Sequence, residues 1–412
     1  MILAEPPIPQ RITSMPPSAT SPAAFDTTPV IVGCRRTAIG RSHPDRGLFR
    51  HVRGDELAAA AIAGAVAASG VDPRSIEDVI LGCTQQRGEQ GGNVARAAAL
   101  MAGLPLAAAG STINRLCGSG LDALARAAHA VLAGAERVVV VGGVEHMHHL
   151  PMDSAIDFHP RALARSSRGA LSMGLTAEHL AASSGIERDR QEAWALESHR
   201  RAAAAAAAGL FDAEIIPVDA HDEAGALVRA TRDQSIRADT SAAAMARLEP
   251  VFLPGVGTIT AATSAPMSDG AAALVVMARD EARRQGLAPL ARIAATAVVG
   301  VPPAAMGTGP VPATRKLLDR AGLRIDDIDR FEINEAFAAQ VIHNVDALGL
   351  DAARVNPQGG SLALGHPLGA SGARIATTLV HALSRTGGRY GVAAMCVGLG
   401  QGIAVLVERE PS

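Results

Sequence analysis

Five residues have types and surroundings that could do chemistry, first among them a thiol that could act as a nucleophile. Cys117 stands in I-N-R-L-C-G-S-G, between a polar loop and a run that reads as a helix from Ser119 onward. A thiol at a helix start feels the positive end of the dipole, which favours the thiolate. Gly118 and Gly120 leave room for a substrate to approach the backbone. The plainer alternative is a small buried residue filling space, as most free cysteines do. His366 lies in the glycine-rich G-G-S-L-A-L-G-H-P-L-G-A-S-G, where an imidazole can take a proton from a thiol. As a bystander it would be a loop histidine bonded to backbone. Cys396 follows a strand-like A-A-M and precedes V-G-L-G-Q-G, and its plain reading is a core cysteine at a strand end. Asn334 and Glu335 close another strand-like run, in N-E-A-F-A, where a helix cap and a first-turn acid would also explain them.

The elements that must position these residues are written twice. A short β-type run opens at Pro29, and an Ala-, Leu- and Ile-rich helix follows over Glu56–Ser69. Next comes A-S-G-V-D-P-R-S-I-E-D-V-I-L-G-C, with a strand at Asp78–Gly82. The same order of helix, glycine, turn, acid and strand returns in D-R-A-G-L-R-I-D-D-I-D-R-F-E-I-N-E, Asp319–Glu335. Ser119-Gly120 opens a helix that leads to a strand at Arg137–Val141. Ser371-Gly372 opens another that leads to a strand at Tyr390–Met395. Two β-α-β halves imply a duplicated α/β fold, with ligand sites at the carboxyl ends of the strands. Between them lies a His-, Arg- and Ala-rich insertion, about residues 146–263, with a helix over Glu192–Ala208. The chain thus divides into an N-terminal arm (1–27), a first half (28–286) carrying the insertion, and a second half (287–412). The arm is rich in Pro, Ser and Thr, lacks the apolar core of a signal peptide, and reads as disordered, with Met15 an alternative start.

Bulk composition narrows the function. The 412 residues carry a net charge of −2, which argues against nucleic-acid binding by bulk charge. Hydrophobic residues make up 48% and aromatics 2%, so the core must be built from Ala, Val, Leu and Ile. Cys34, Cys83, Cys117 and Cys396 are widely spaced with no C-x-x-C pair, which suits a reduced, cytoplasmic protein. No apolar run is long enough to span a bilayer. His146, His148 and His149 invite a metal reading. No carboxylate or cysteine stands near them at ligand spacing, so no metal is expected.

Seven motifs in order carry a resemblance: R-L-C-G-S-G, G-G-V-E-H-M, M-G-L-T-A-E, S-D-G-A-A-A, N-E-A-F-A, G-H-P-L-G-A-S-G-A-R and C-V-G-L-G-Q-G. Together they resemble the thiolase family over about Pro29–Glu408. Within it, C-T-Q-Q-R-G-E-Q, E-H-M-H-H-L-P-M and D-F-H-P are similar to the thiolase (β) subunits of bacterial fatty-acid oxidation complexes. The resemblance implies a layered α-β-α-β-α fold with a loop domain, a homodimer or homotetramer, and a hydratase/dehydrogenase (α) subunit as partner. It implies a 3-ketoacyl-CoA thiolase of β-oxidation, with coenzyme A as substrate and no cofactor. It makes Cys117 the acylated nucleophile, His366 its base, and Cys396 the acid/base at the α-carbon. Asn334 and His366 would hold an oxyanion-binding water, and the N–H groups of Cys117 and Gly398 a second oxyanion hole. Met173, Phe337, Ser264, Ala265 and Arg237 fall in segments that contact substrate or CoA, Arg237 near the adenine. Ala265 departs from the family pattern, which often has a pantetheine-binding serine there, and Ser264 is the neighbour able to replace it. Gln358 of V-N-P-Q-G-G replaces a common asparagine, one amide for another. The rival readings are a biosynthetic acetoacetyl-CoA thiolase and a non-catalytic scaffold subunit. A ketoacyl synthase would typically carry a histidine where Cys396 stands.

Overall fold

The computed structural model describes residues 26–152 and 157–410. The first 25 residues of the expected arm lie outside the described residues. Asp26 and Thr28 already belong to the fold, since their carbonyls accept from Asp280 N–H and Arg279 N–H.

The duplicated order is present strand by strand. Outward from the join, the first half places Pro29–Thr37, Ser268–Ala278, Val138–His146, Asp78–Gly82 and Ser111–Ile113 side by side. The second half repeats this with Ala291–Gly300, Gln401–Arg409, Tyr390–Val397 and Arg330–Ile333. The senses match as well. The first two pairings of each half are antiparallel and the third is parallel. The halves join edge to edge where Val30 faces Arg292 and Ile31 faces Ala291.

Apolar periodicity dictates the layers. The outer helices Gly54–Ser69 and Val94–Met101 cover one face of the first half. Pro310–Ala321 and Ala338–Leu348 cover the outer face of the second. Helices Ser119–Leu132 and Leu368–Thr386 form a shared middle layer, packed against strands of both halves. The result is the α-β-α-β-α arrangement. Between His146 and Ser268 the chain forms helices Met173–Ser184 and Arg188–Ala207, touches the sheet again where Ile215–Ile216 pairs with Arg36 and Thr37, and forms a hairpin, Val218–His221 with Leu227–Ala230. The strand expected at Arg137–Val141 runs on to His146, so Glu145 and His146 lie in the sheet and not in the insertion.

The two middle helices touch backbone to backbone. A Cβ on Gly120 would sit 2.5 Å from Ala373 N, and one on Gly372 would sit 2.3 Å from Leu121 N. Gly118 is equally confined, with a Cβ there meeting Val397 Cγ2 at 2.7 Å. The glycines expected to admit a substrate therefore admit neighbouring chain instead.

Gly372→Ala should push the middle helices apart. Overpacking typically costs about 1–3 kcal/mol, and more where backbone must move. Gly300, with nothing near its missing Cβ, is the control, and its alanine variant should stay within about 0.5 kcal/mol of wild type. Urea unfolding of the two variants checks this, and equal midpoints would remove the helix contact as a structural constraint.

Candidate active site

Four loops meet at the ends of the middle helices. The first carries Cys117 into helix Ser119–Leu132. Leu116, just before it, has φ +46°, a left-handed value that a bulky residue adopts only when held there. It is held by Asn114, whose Oδ1 accepts from Leu116 N–H at 2.8 Å. Ser119 helps from the other side, its hydroxyl accepting from Arg115 N–H and donating to Leu116 O. The turn directs the thiol away from the sheet into a cavity.

That cavity encloses about 120 Å³ and has mainly apolar walls. Cys117, His366 and Cys396 line it, with Met173, Ala265 and Phe337 of the expected substrate contacts. Met147, Met152, Met267 and Met306 also line it. These four were not singled out from the sequence. They come from three separate segments, Met147 and Met152 sharing one, so no single spacing marks the set. Methionine suits such a wall because its flexible thioether packs around irregular apolar shapes. Ser264 does not take part, because its hydroxyl is turned to Thr260 O at 2.9 Å. Arg237 is exposed and lies outside the lining, and no ion pair to a described residue occupies it.

The Cys117 sulfur faces the N–H groups of Gly398 and of Cys117 itself, and both favour the thiolate. Burial outweighs them and pushes the thiol up to about 11. The lowered thiol pKa expected from the helix start is thus not found: desolvation is the larger effect. Cys396 is buried, and both burial and the neighbouring Cys117 raise its pKa. Burial, helped by Arg374, lowers His366 to about 3, so the ring is neutral at pH 7. The resting pair is thiol and imidazole, not thiolate and imidazolium.

His366 is gripped at both nitrogens. Nδ1 lies 2.6 Å from Ser371 Oγ, and that hydroxyl donates to Pro367 O at 2.8 Å. Ser371 therefore accepts, and Nδ1 carries the proton. Nε2 lies 3.3 Å from Asn334 Nδ2 and is left with its lone pair. The sequence suggested a helix opening at Ser371. It opens at Leu368, which turns Ser371 back onto His366.

Two buried carboxylates brace the loops. Glu145 accepts from Thr84 N–H and Oγ1–H, Gln85 N–H, Gln90 Nε2 and Gly369 N–H. Thr84 O in turn accepts from Asn114, so Glu145 couples the Cys117 loop to the start of helix Leu368–Thr386. Glu335 accepts from Trp194, Ser198, Asn356 and Leu362 N–H. It is no first-turn acid, since its helix begins at Ala338.

The histidine trio has a carboxylate after all. Glu89, distant from it in sequence, brings its oxygen and the ring nitrogens of His146 and His149 within 4.8 Å of one another. Hydrogen bonds explain the cluster. His149 Nδ1 faces Glu89 at 2.9 Å and Nε2 faces Arg50 O at 2.9 Å. Burial lowers the His149 pKa, but the Arg50 carbonyl and Glu89 together raise it by more.

This geometry defines an acyl-transfer site built on paired thiols in a duplicated fold, and the comparisons agree. Family models match residues 29–280 as the thiolase N-terminal domain and 287–409 as the thiolase C-terminal domain. The chain belongs to the thiolase family. It is 50% identical to a 3-ketoacyl-CoA thiolase of Aliivibrio fischeri over 384 residues, 92% of this chain and 99% of the relative. A 3-ketoacyl-CoA thiolase of a Shewanella species is 49% identical over the same shares of the two chains. Among solved structures, human mitochondrial 3-ketoacyl-CoA thiolase superimposes with a TM-score of 0.86 at 34% identity, covering 94% of this chain and all of that one. Bacillus anthracis acetyl-CoA acetyltransferase gives 0.86 at 38% identity with the same coverage.

A protonated resting thiol has a measurable signature. Alkylation of Cys117 by iodoacetamide should rise about tenfold per pH unit from pH 7 to 9, because the thiolate fraction does so below the pKa. Cys34 and Cys83 should remain unlabelled, since both are buried and their pKa values are raised by desolvation. Rates and sites would be read by mass spectrometry. A rate already level at pH 7.5 would show a preformed thiolate.

Proposed function

We propose that this protein is a 3-ketoacyl-CoA thiolase that cleaves its substrate with CoA in two half-reactions. Cys117 attacks the C3 carbonyl while its proton passes to Nε2 of His366. The developing oxyanion is met by N–H donors, the imidazolium and the Asn334 amide on one side or the N–H groups of Cys117 and Gly398 on the other. One such donor is typically worth about 10²–10³ in rate. The C2–C3 bond then breaks, its electron pair leaving on the acetyl-CoA enolate, and the Cys396 thiol protonates that carbon. Cys396, now a thiolate, takes the proton of the incoming CoA thiol. The CoA sulfur attacks the acyl-Cys117 thioester, which releases the shortened acyl-CoA and restores the Cys117 thiol through the proton held on His366.

The observation that carries this reading is the meeting of Cys117, Cys396 and His366 in one apolar cavity. Two thiols divide the labour that a single base could not. One stores the acyl group and the other manages the carbon proton. A neutral imidazole is the form able to accept the first proton. A scaffold subunit would have no use for this arrangement. Exposed Arg237 is free to meet the adenine end of CoA, and the four free cysteines support a cytoplasmic setting. Among the described residues no helix is long and apolar enough to cross a membrane.

Association with an α subunit rests on less than the sequence suggested. Of E-H-M-H-H-L-P-M, Glu145, His146 and Met147 are buried, and Met147 and Met152 line the cavity. D-F-H-P, with Asp157, His159 and Pro160 exposed, is the part open to a partner. Co-expression with a hydratase/dehydrogenase chain should give one co-eluting species by size exclusion. Separate elution at micromolar concentration would remove the α subunit, and the apparent mass of this chain alone would separate homodimer from homotetramer.

Cys396→Ala should separate the half-reactions. Acylation of Cys117 from a simple acyl-CoA expels a thiolate, which with a free pKa of about 8.5 leaves without a strong acid. Cleavage of 3-ketoacyl-CoA must protonate carbon, where general acid catalysis is worth about 10²–10⁴. The variant should still label at Cys117 with radioactive acyl-CoA while thiolysis falls by that factor. Cys117→Ala should lose both. Near-normal thiolysis by Cys396→Ala would reduce Cys396 to a structural cysteine.

A further inference from the structure

A chain of hydrogen bonds runs inward from the active site and ends on a buried cation. Asn334 is wholly buried, and its Oδ1 accepts from Ser361 Oγ at 2.6 Å. Ser361, also wholly buried, is approached at 2.9 Å by Nη2 of Arg374, itself 1% exposed. Each link has one possible direction. A guanidinium only donates, so Ser361 must accept from Arg374. The one hydroxyl proton of Ser361 is then left for Asn334 Oδ1. That fixes the amide, with Nδ2, a donor, turned toward His366 Nε2. The flipped amide would point a second donor at Ser361 and leave its hydroxyl proton buried without an acceptor, a loss of about 1–3 kcal/mol.

We propose that Arg374 and Ser361 are positioning residues that orient the Asn334 amide through this directed relay, so that a donor always faces the oxyanion site. The inference rests on the assignment of Asn334 and His366 to that site. Neither Arg374 nor Ser361 lines the cavity, so both act through Asn334. Arg374 is suited to the task because a guanidinium holds its proton at all working pH values and cannot reverse the relay. Burial is the largest influence on it and, with the nearby Arg36, opposes its charge, whereas Glu332, Glu214 and Asp233 favour it. Ser371 fixes the other side of His366 independently, so the imidazole and the amide are set by separate hydroxyls on one helix and its preceding turn.

The test is a double-mutant cycle in thiolysis. Arg374 is buried and its replacement can cost the fold, so Ser361→Ala carries the test and Arg374→Gln accompanies it. Ser361→Ala alone should lower kcat about tenfold, with KM within about threefold, because a transition-state donor is disordered and no substrate contact is lost, while the melting temperature falls with the two buried hydrogen bonds removed. In an Asn334→Ala background the same substitution should change kcat less than about twofold, since nothing remains to orient. A full tenfold loss in that background, or wild-type kcat for Ser361→Ala, would overturn the relay. Wild-type kcat for Asn334→Ala alone would instead overturn the oxyanion assignment on which the relay rests.

Discussion

The crossing of helices Ser119–Leu132 and Leu368–Thr386 at Gly120 and Gly372 is the contact on which the site depends. With no side chain between them the helices approach to backbone distance, and their N-terminal ends are brought to the same place. One end carries Cys117 and the other carries His366. A methyl group on either glycine would meet the backbone of the other helix at 2.3 to 2.5 Å, so the two helices would have to move apart. The duplication of the fold has its chemical meaning here: two copies of one helix, facing each other, each deliver half of a proton-transfer pair.

Desolvation then sets the protonation states. Helix ends and N–H donors favour charge on Cys117, but burial favours neutrality, and burial wins for both Cys117 and His366. Charge is therefore created during the reaction and not stored before it. An apolar-walled site of this kind is served by fixed dipoles aimed at the place where charge develops. Gly398 N–H, Cys117 N–H and the Asn334 amide are such dipoles. The buried carboxylates Glu145 and Glu335 keep the surrounding loops still by accepting backbone and side-chain donors from several segments each. Their full complement of hydrogen bonds is what makes their burial tolerable.

Much of this was legible in the sequence, for a physical reason. The β-α-β order is written in local periodicity, and it was written twice, so the fold class and the places of Cys117, Asn334, His366 and Cys396 at strand and helix ends could be read directly. Short-range signals also gave the apolar composition of the core and the absence of a bulk basic charge. What could not be read were relations between distant segments. Glu89 reaching His149, Glu145 reaching Gly369, and Arg374 reaching Asn334 through Ser361 each join residues that share no spacing. The same holds for the methionine wall. The helix start beside Cys117 is visible locally, whereas the desolvation that opposes its effect on the thiol is a property of the packed whole. The sequence by itself determined which candidate groups stand at strand and helix ends and on which elements they ride. Tertiary structure alone decided their charge states and orientations, because desolvation and hydrogen-bond direction arise only where segments far apart in the chain come into contact.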